Sequence, residues 1–238
     1  MRATRKVLFC IYLLAAFIIL GCQSTVETHS MQPTEGYPFT RDINEIKDLL
    51  KFRCIDTISF RSGQVIADIG AGNGYIEAML AMFNDSLTFY IQDIDTSVCN
   101  ESEVAKVFEF YEEVNGKPFT SKYITVNGSD TDSNLPDDTF DKILMLWTYS
   151  YLKEPFKFIS DIRENLKDDG LFYVINPAID DNDYTKSLRE ETGWNVSILE
   201  KQIDDIISCG FSLVRIARNY NEGDYNEPVI MIFRKNNY

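Results

Sequence analysis

From about residue 40 onward, short apolar runs alternate with stretches whose apolar residues recur every three to four positions, which predicts strands and helices in turn. Ile43, Ile46, Leu49, Leu50 and Ile58 fall at helical spacing in an opening helix over residues 41–58. QVIADI at 64–69 reads as a first strand, residues 75–83 as the helix after it, and LTFYIQ at 87–92 as a second strand. A helix over 101–114 is stopped by Asn115 and Gly116. Strands follow at 122–126 and at 141–147 (DKILMLW), then a helix over 155–166 that ends at Gly170, then a fifth strand at 171–175. The tail adds a helix over 196–209 and two strands, 211–217 and 229–234, joined by a polar turn that suits an antiparallel pair. Strand and helix in alternation define an α/β fold, here a doubly wound, mostly parallel seven-stranded sheet with an antiparallel C-terminal strand.

The first 22 residues follow a different pattern. Arg2, Arg5 and Lys6 make a basic start, residues 7–20 are almost wholly apolar, and Gly21 and Cys22 follow, as in an export signal. The run is short for a membrane span of about 20 residues, so a retained signal anchor is the weaker alternative. Ile19-Leu20-Gly21-Cys22 resembles the lipobox of bacterial lipoproteins, which implies cleavage before Cys22 and lipidation of its thiol. Three segments result: a signal peptide at 1–21, a lipidated Cys22 with a flexible polar tether to residue 36, and one domain over 37–238. The domain is expected to be exported, held to a bacterial membrane by its lipid and facing the periplasm.

Composition narrows the chemistry. The 238 residues, 45% hydrophobic, suffice for one core of ordinary size. Lys and Arg number 23 against 37 Asp and Glu, a net charge of −14 that becomes −17 without residues 1–21, so no nucleic-acid partner is expected. The single histidine, His29, lies in the tether, which removes triad hydrolases and common zinc enzymes. Cys54, Cys99 and Cys209 form no CxxC motif and read as buried free thiols, although export would permit one disulfide.

The most informative segment is VIADIGAGNGY at 65–75, which sets Asp68, Gly70, Ala71, Gly72 and Gly74 between a strand and a helix in a DxGxGxG pattern. Glycines let the backbone turn tightly and approach a ligand, and free N–H groups at the helix start favour polar or negative ligand groups. The dinucleotide fingerprint GxGxxG needs a glycine where Tyr75 stands, and Asp68 would add negative charge beside a pyrophosphate. A cationic ligand welcomes that carboxylate.

VIADIGAGNGY resembles motif I of class I S-adenosylmethionine-dependent methyltransferases, and the similarity continues in order from about Ile43 to Lys235. The resemblance implies S-adenosylmethionine as cofactor and a methyl acceptor as partner. It also implies that Asp93, closing LTFYIQD, grips the ribose hydroxyls with Ile94 beside it; NAD would use the same acid. The polar loop after the third strand supplies the adenine contact, from Asp130 or Ser129. Trp147 and Tyr149, at the end of the fourth strand, are expected to face the crevice and contact a sulfonium, or to pack in the core. ADIGAGNGY is most similar to methyltransferases with a Tyr-rich turn after the fourth strand; those often carry His there, where this chain has Ser150 and Tyr151.

No base is required for the reaction itself, and Tyr149, Tyr151 or an acid near Asp180 could assist an acceptor that must lose a proton. Tyr37 and Arg41 are candidates for a lid. Asp130, Asp132 and Asn134 begin like a calcium loop, but Leu135 and Asp141 stand where Gly and Glu belong, and Asp180, Asp181 and Asp183 read as a solvated loop, so no metal is expected. The leading reading is methyl transfer to a small molecule. Its rivals are a lipid-anchored binding protein that keeps the fold without turnover, favoured by the export signal, and an NAD-linked oxidoreductase.

Overall fold

The structure, a computed structural model, describes residues 39–177, 183–192, 198–218 and 228–236. These lie in one compact unit spanning Pro33–Tyr238. The segments expected as signal and tether, with Cys22 and His29, are outside the described residues, as are Tyr37, Asp180 and Asp181.

Helix α1 covers Ile43–Phe52, capped by Asp42, whose carboxylate accepts the Asn44 N–H. The sequence predicts one helix to residue 58, but the chain breaks at Cys54, which takes a left-handed φ of 57°, and only a 3-10 turn, Ile55–Thr57, follows. Then come β1 (Val65–Ile69), α2 (Tyr75–Phe83), β2 (Thr88–Asp93), α3 (Glu101–Asn115), β3 (Lys122–Asn127) and β4 (Phe140–Leu146). A 3-10 turn at Tyr149–Tyr151 leads to α4 (Pro155–Asn165), β5 (Leu166–Pro177), α5 (Asp183–Thr192), α6 (Leu199–Ser208), β6 (Phe211–Arg218) and β7 (Pro228–Lys235). Helix α5 replaces the solvated loop expected around Asp183. Its sequence DYTKSLREET carries almost no apolar period, so nothing local announced it.

The seven strands form one sheet in the order β3-β2-β1-β4-β5-β7-β6. All pairings from β3 to β5 are parallel, and β7 runs antiparallel to both β5 and β6. Strand order reverses between β1 and β4, which leaves a crevice at their C-terminal ends.

Strand periodicity separates two cores. Ile66 and Leu144 face the layer containing α1, α2 and α3, while Ala67, Ile69, Ile143 and Met145 face the layer containing α4 and α6. By the same alternation Asp68 shares the face of Ile66 and points toward α2.

Candidate functional site

A cleft of about 420 Å³ occupies the crevice. β1 delivers Ile69 and Gly70 to it, and β2 delivers Gln92 and Asp93, with Ile94 following. The loop after β3 adds Ser129 and Asp130. β4 adds Leu146, Trp147 and Thr148, and Tyr151, Leu152 and Phe158 form the outer wall. The structure thus brings Gly70, Asp93, Ile94, Ser129, Asp130, Trp147 and Tyr151 together. Asp68, Ala71, Gly72 and Gly74 are buried behind the surface and do not line it.

The glycine turn uses its amides internally. Gly70 and Ala71 N–H both donate to the Gln92 carbonyl oxygen, at 2.8 and 3.0 Å, and Gly74 N–H donates to the Ala71 carbonyl at 3.2 Å. Gly72 N–H donates to Asp93 Oδ2 at 2.8 Å, while Asp95 N–H donates to Asp93 Oδ1 at 2.9 Å. The expectation of free N–H groups facing a ligand is corrected for these four amides: the tight turn folds three of them back onto β2, where strand and carboxylate already offer acceptors, and the fourth, of Gly74, onto the Ala71 carbonyl. The turn therefore presents no row of donors for a pyrophosphate. Asp93 is held by both oxygens at the rim with lone pairs to spare for hydroxyl donors.

Beneath the turn lies a second departure from expectation. Asp68 is 2% exposed and touches Glu77, which is 0% exposed in the first turn of α2. Burial drives the Asp68 carboxyl well above the usual carboxylate range; the Glu77 charge and hydrogen bond push the same way, and Arg53 opposes them. Burial raises Glu77 as well, against its hydrogen bond with Asp68 and the pull of Arg53. Arg53, just past α1, stacks its guanidinium 4.3 Å from the Trp147 ring centroid and 5.6 Å from that of Tyr75.

Trp147 closes β4 with a left-handed φ of 58°, held by its N–H donating to the Ile175 carbonyl at 2.7 Å. For a bulky residue this conformation costs about 1–2 kcal/mol, and it turns the indole toward the cleft. Tyr149 takes the second of its two expected places, the core. It is fully buried in the α4–α6 core, its hydroxyl donates to Asp205 at 3.2 Å, and it does not line the cleft. Tyr149 keeps the side of Ile143 and Met145; it is Trp147, left-handed and packed with the opposite core, that breaks the strand alternation. Tyr151, half exposed, stands at the mouth.

Asp130 accepts an ion pair from Lys153 at 2.8 Å on the exposed rim. Arg41, the lid candidate, is fastened instead to α3, over the Phe110 ring at 4.5 Å and paired with Glu113 at 3.2 Å. Asp132 accepts the Asn134 N–H, and Asn134 donates to the Asn127 carbonyl, so both serve the loop itself. Among the described residues no group of three or more His, Cys, Asp or Glu could hold a metal ion, and Cys54, Cys99 and Cys209 form no disulfide. Sequence reasoning missed Gln92, Thr148, Glu77 and Arg53. Only Glu77 left a signal, an acid in the first turn of an otherwise apolar helix.

Residues 67–174 match a family described as a methyltransferase domain. No curated protein matches the sequence. Among solved structures, the methyltransferase bound to the Trm112 activator of Haloferax volcanii superposes with a TM-score of 0.58 at 11% identity, covering 82% of this chain and 93% of that one. A SAM-dependent methyltransferase from Aquifex aeolicus superposes at 0.55 with 18% identity, covering 81% and 97%. The [4+2]-cyclase SpnF does so equally, at 0.55 with 15% identity, covering 82% and 80%. These neighbours show the fold, which is that of the Rossmann-like methyltransferases. The domain match supports the class I methyltransferase superfamily and implies S-adenosylmethionine as the cofactor.

The residues present fit that cofactor. Gln92 Nε2 and Trp147 Nε1 are buried donors without a partner among the described residues, and both side chains line the cleft. An adenosyl group offers ring nitrogens and oxygens to accept from such donors. A Cβ at Gly70 would meet Thr148 Oγ1 at 2.4 Å, so this wall stays open only with glycine there.

Proposed function

We propose that the chain transfers a methyl group from S-adenosylmethionine to a small-molecule acceptor held against Tyr151, Leu152 and Phe158. The observation that carries this reading is the charge pattern of the glycine turn: four of its amide donors are spent inside the protein, while carboxylates stand beside and below it. A sulfonium with an ammonium suits such a wall, and a dinucleotide pyrophosphate does not.

Bound S-adenosylmethionine supplies an already activated methyl group, so the protein needs to align and shield more than to activate. Asp93 would hold the ribose hydroxyls, and Ser129 or Asp130 the adenine edge. Gly70 gives the ligand close backbone approach. Leu146, Leu152 and Phe158 exclude water, and Tyr151 is the one hydroxyl of the earlier candidates placed to take a proton from an acceptor. The size of the cleft and the acidic surface support a small acceptor over a nucleic acid.

Isothermal titration of the full-length chain with S-adenosylmethionine, its demethylated product and NAD tests the reading. Heat is expected with the first two and none with NAD; heat with NAD alone would overturn it. Cofactor binding without methyl release to any of a panel of small acceptors would favour the binding protein.

The basic start, apolar run and Leu20-Gly21-Cys22 ending support a further part of the proposal, that the domain is exported and anchored through lipid on Cys22. Cys22→Ala is expected to release the protein from membranes, and globomycin to block its processing. Lipid attachment that survives in Cys22→Ala, or processing of the wild type that globomycin leaves unaffected, would refute the anchor.

A further inference from the structure

The buried acids under the glycine turn enter the proposal above only as negative charge, and their contact poses a chemical problem. Asp68 Oδ1 and both Glu77 carboxylate oxygens are buried, and apart from Glu77's own backbone N–H no donor among the described residues meets them. Two ionised carboxylates are acceptors only, so they cannot satisfy one another. One proton between them turns the repulsive contact into a hydrogen bond, as in paired acids elsewhere in proteins. The other charged or titratable groups around the pair are Arg53 beyond α1, Asp93 at the end of β2 and Cys99 ahead of α3. Arg53 alone of these brings positive charge, and its guanidinium is stacked over Trp147 at the cleft wall.

We propose that Asp68 and Glu77 share one proton and act as the charge sensor of the cofactor site, releasing that proton when a cationic ligand binds and so preferring the sulfonium over its neutral demethylated product. The inference rests on the cofactor reading above. The balance is simple. A singly protonated pair carries one negative charge; a ligand with one extra positive charge favours the doubly ionised pair, and the displaced proton goes to solvent. S-adenosylmethionine carries one more positive charge than S-adenosylhomocysteine, and the low dielectric beneath the turn carries its field to the pair. Glu77 is thus a positioning residue that works through Asp68. Burial, which pushes the pKa of both groups upward, agrees with a proton retained in the free protein.

The test is titration of the full-length chain with S-adenosylmethionine and S-adenosylhomocysteine from about pH 5 to 9, in buffers of differing ionisation enthalpy. Release of up to one proton is expected with the sulfonium, its affinity rising by as much as about tenfold per pH unit below the pair's titration, with a smaller slope for the product. Glu77→Gln keeps the shape and donates a fixed hydrogen bond to Asp68, so it should retain binding and lose both the proton release and the slope. An infrared band of a protonated carboxyl in the ligand-free protein, absent from Glu77→Gln, reads the shared proton without any ligand and without depending on the variant's affinity. Binding with no proton release, or a ligand-free protein without that band, overturns the charge sensor and leaves the cofactor reading standing. Failure of S-adenosylmethionine to bind removes both.

Discussion

Thr148 Oγ1 stands 2.4 Å from the point a Cβ on Gly70 would occupy, with Cγ2 of the same side chain at 2.6 Å. Gly70 ends the run from β1 and Thr148 follows β4, so the close approach joins the two strands between which the sheet order reverses. Gly70 also holds a left-handed φ of 71°. Alanine there faces two penalties, about 1–2 kcal/mol for the backbone and a steric clash that moves Thr148 into the cleft. Gly70→Ala is therefore expected to lose more than tenfold in S-adenosylmethionine affinity by titration calorimetry. Adding Thr148→Ala, which removes the two nearest atoms, should restore part of it.

Asp93 has two tasks, since its carboxylate secures the Gly72 and Asp95 amides while facing the cleft. Asp93→Ala is expected to weaken cofactor binding by more than tenfold, about 1.4 kcal/mol or more. It should also destabilise the fold by about 1–3 kcal/mol, because the Gly72 N–H is left without its acceptor. Denaturant melts alongside calorimetry separate the two. Unchanged affinity would remove Asp93 from the site.

Tyr149 and Tyr151 are two residues apart yet face opposite fates. Tyr149→Phe deletes the hydroxyl that reaches Asp205 and should cost about 1 kcal/mol of stability with cofactor affinity intact. Tyr151→Phe should leave stability alone and lower turnover on any acceptor that must lose a proton. A loss of cofactor affinity in folded Tyr149→Phe would contradict its placement in the α4–α6 core.

Asp141 ties the start of β1 to β4. Burial pushes its pKa up, but the Val65 N–H at 2.7 Å and Lys167 at 2.9 Å outweigh that and hold the carboxyl below its ordinary value. A depressed group stabilises the fold above its unfolded value, and that contribution is lost as pH falls through the folded one. Thermal melts should show stability dropping below about pH 4 in the wild type, with a shallower acid slope in Asp141→Asn.

The strands, their order along the chain and the glycine turn were legible in the sequence because each rests on a local rule. Near-continuous apolar runs such as VIADI bury both faces of a parallel strand, and glycine takes the positive φ at Gly70, Gly72 and Gly74 without the strain a side chain would add. Gly116 stopped α3 where expected, with a φ of 73°. Asp93 at the end of β2 and the acidic loop after β3 were placed by the same order of elements. Helix α5 was not, for its polar sequence has no period to read.

Only the tertiary structure decided what the side chains near the turn do. Glu77 is nine residues from Asp68 and Arg53 fifteen, and no spacing rule pairs a strand residue with a helix residue across a turn or with the chain beyond α1. Trp147 reached the cleft wall because its left-handed backbone breaks the alternation of β4, while Tyr149 stayed on the buried side of Ile143 and Met145. Periodicity and backbone sterics act between near neighbours and are written along the chain; the sharing of charge, hydrogen bonds and space depends on which distant segments the sheet brings into contact.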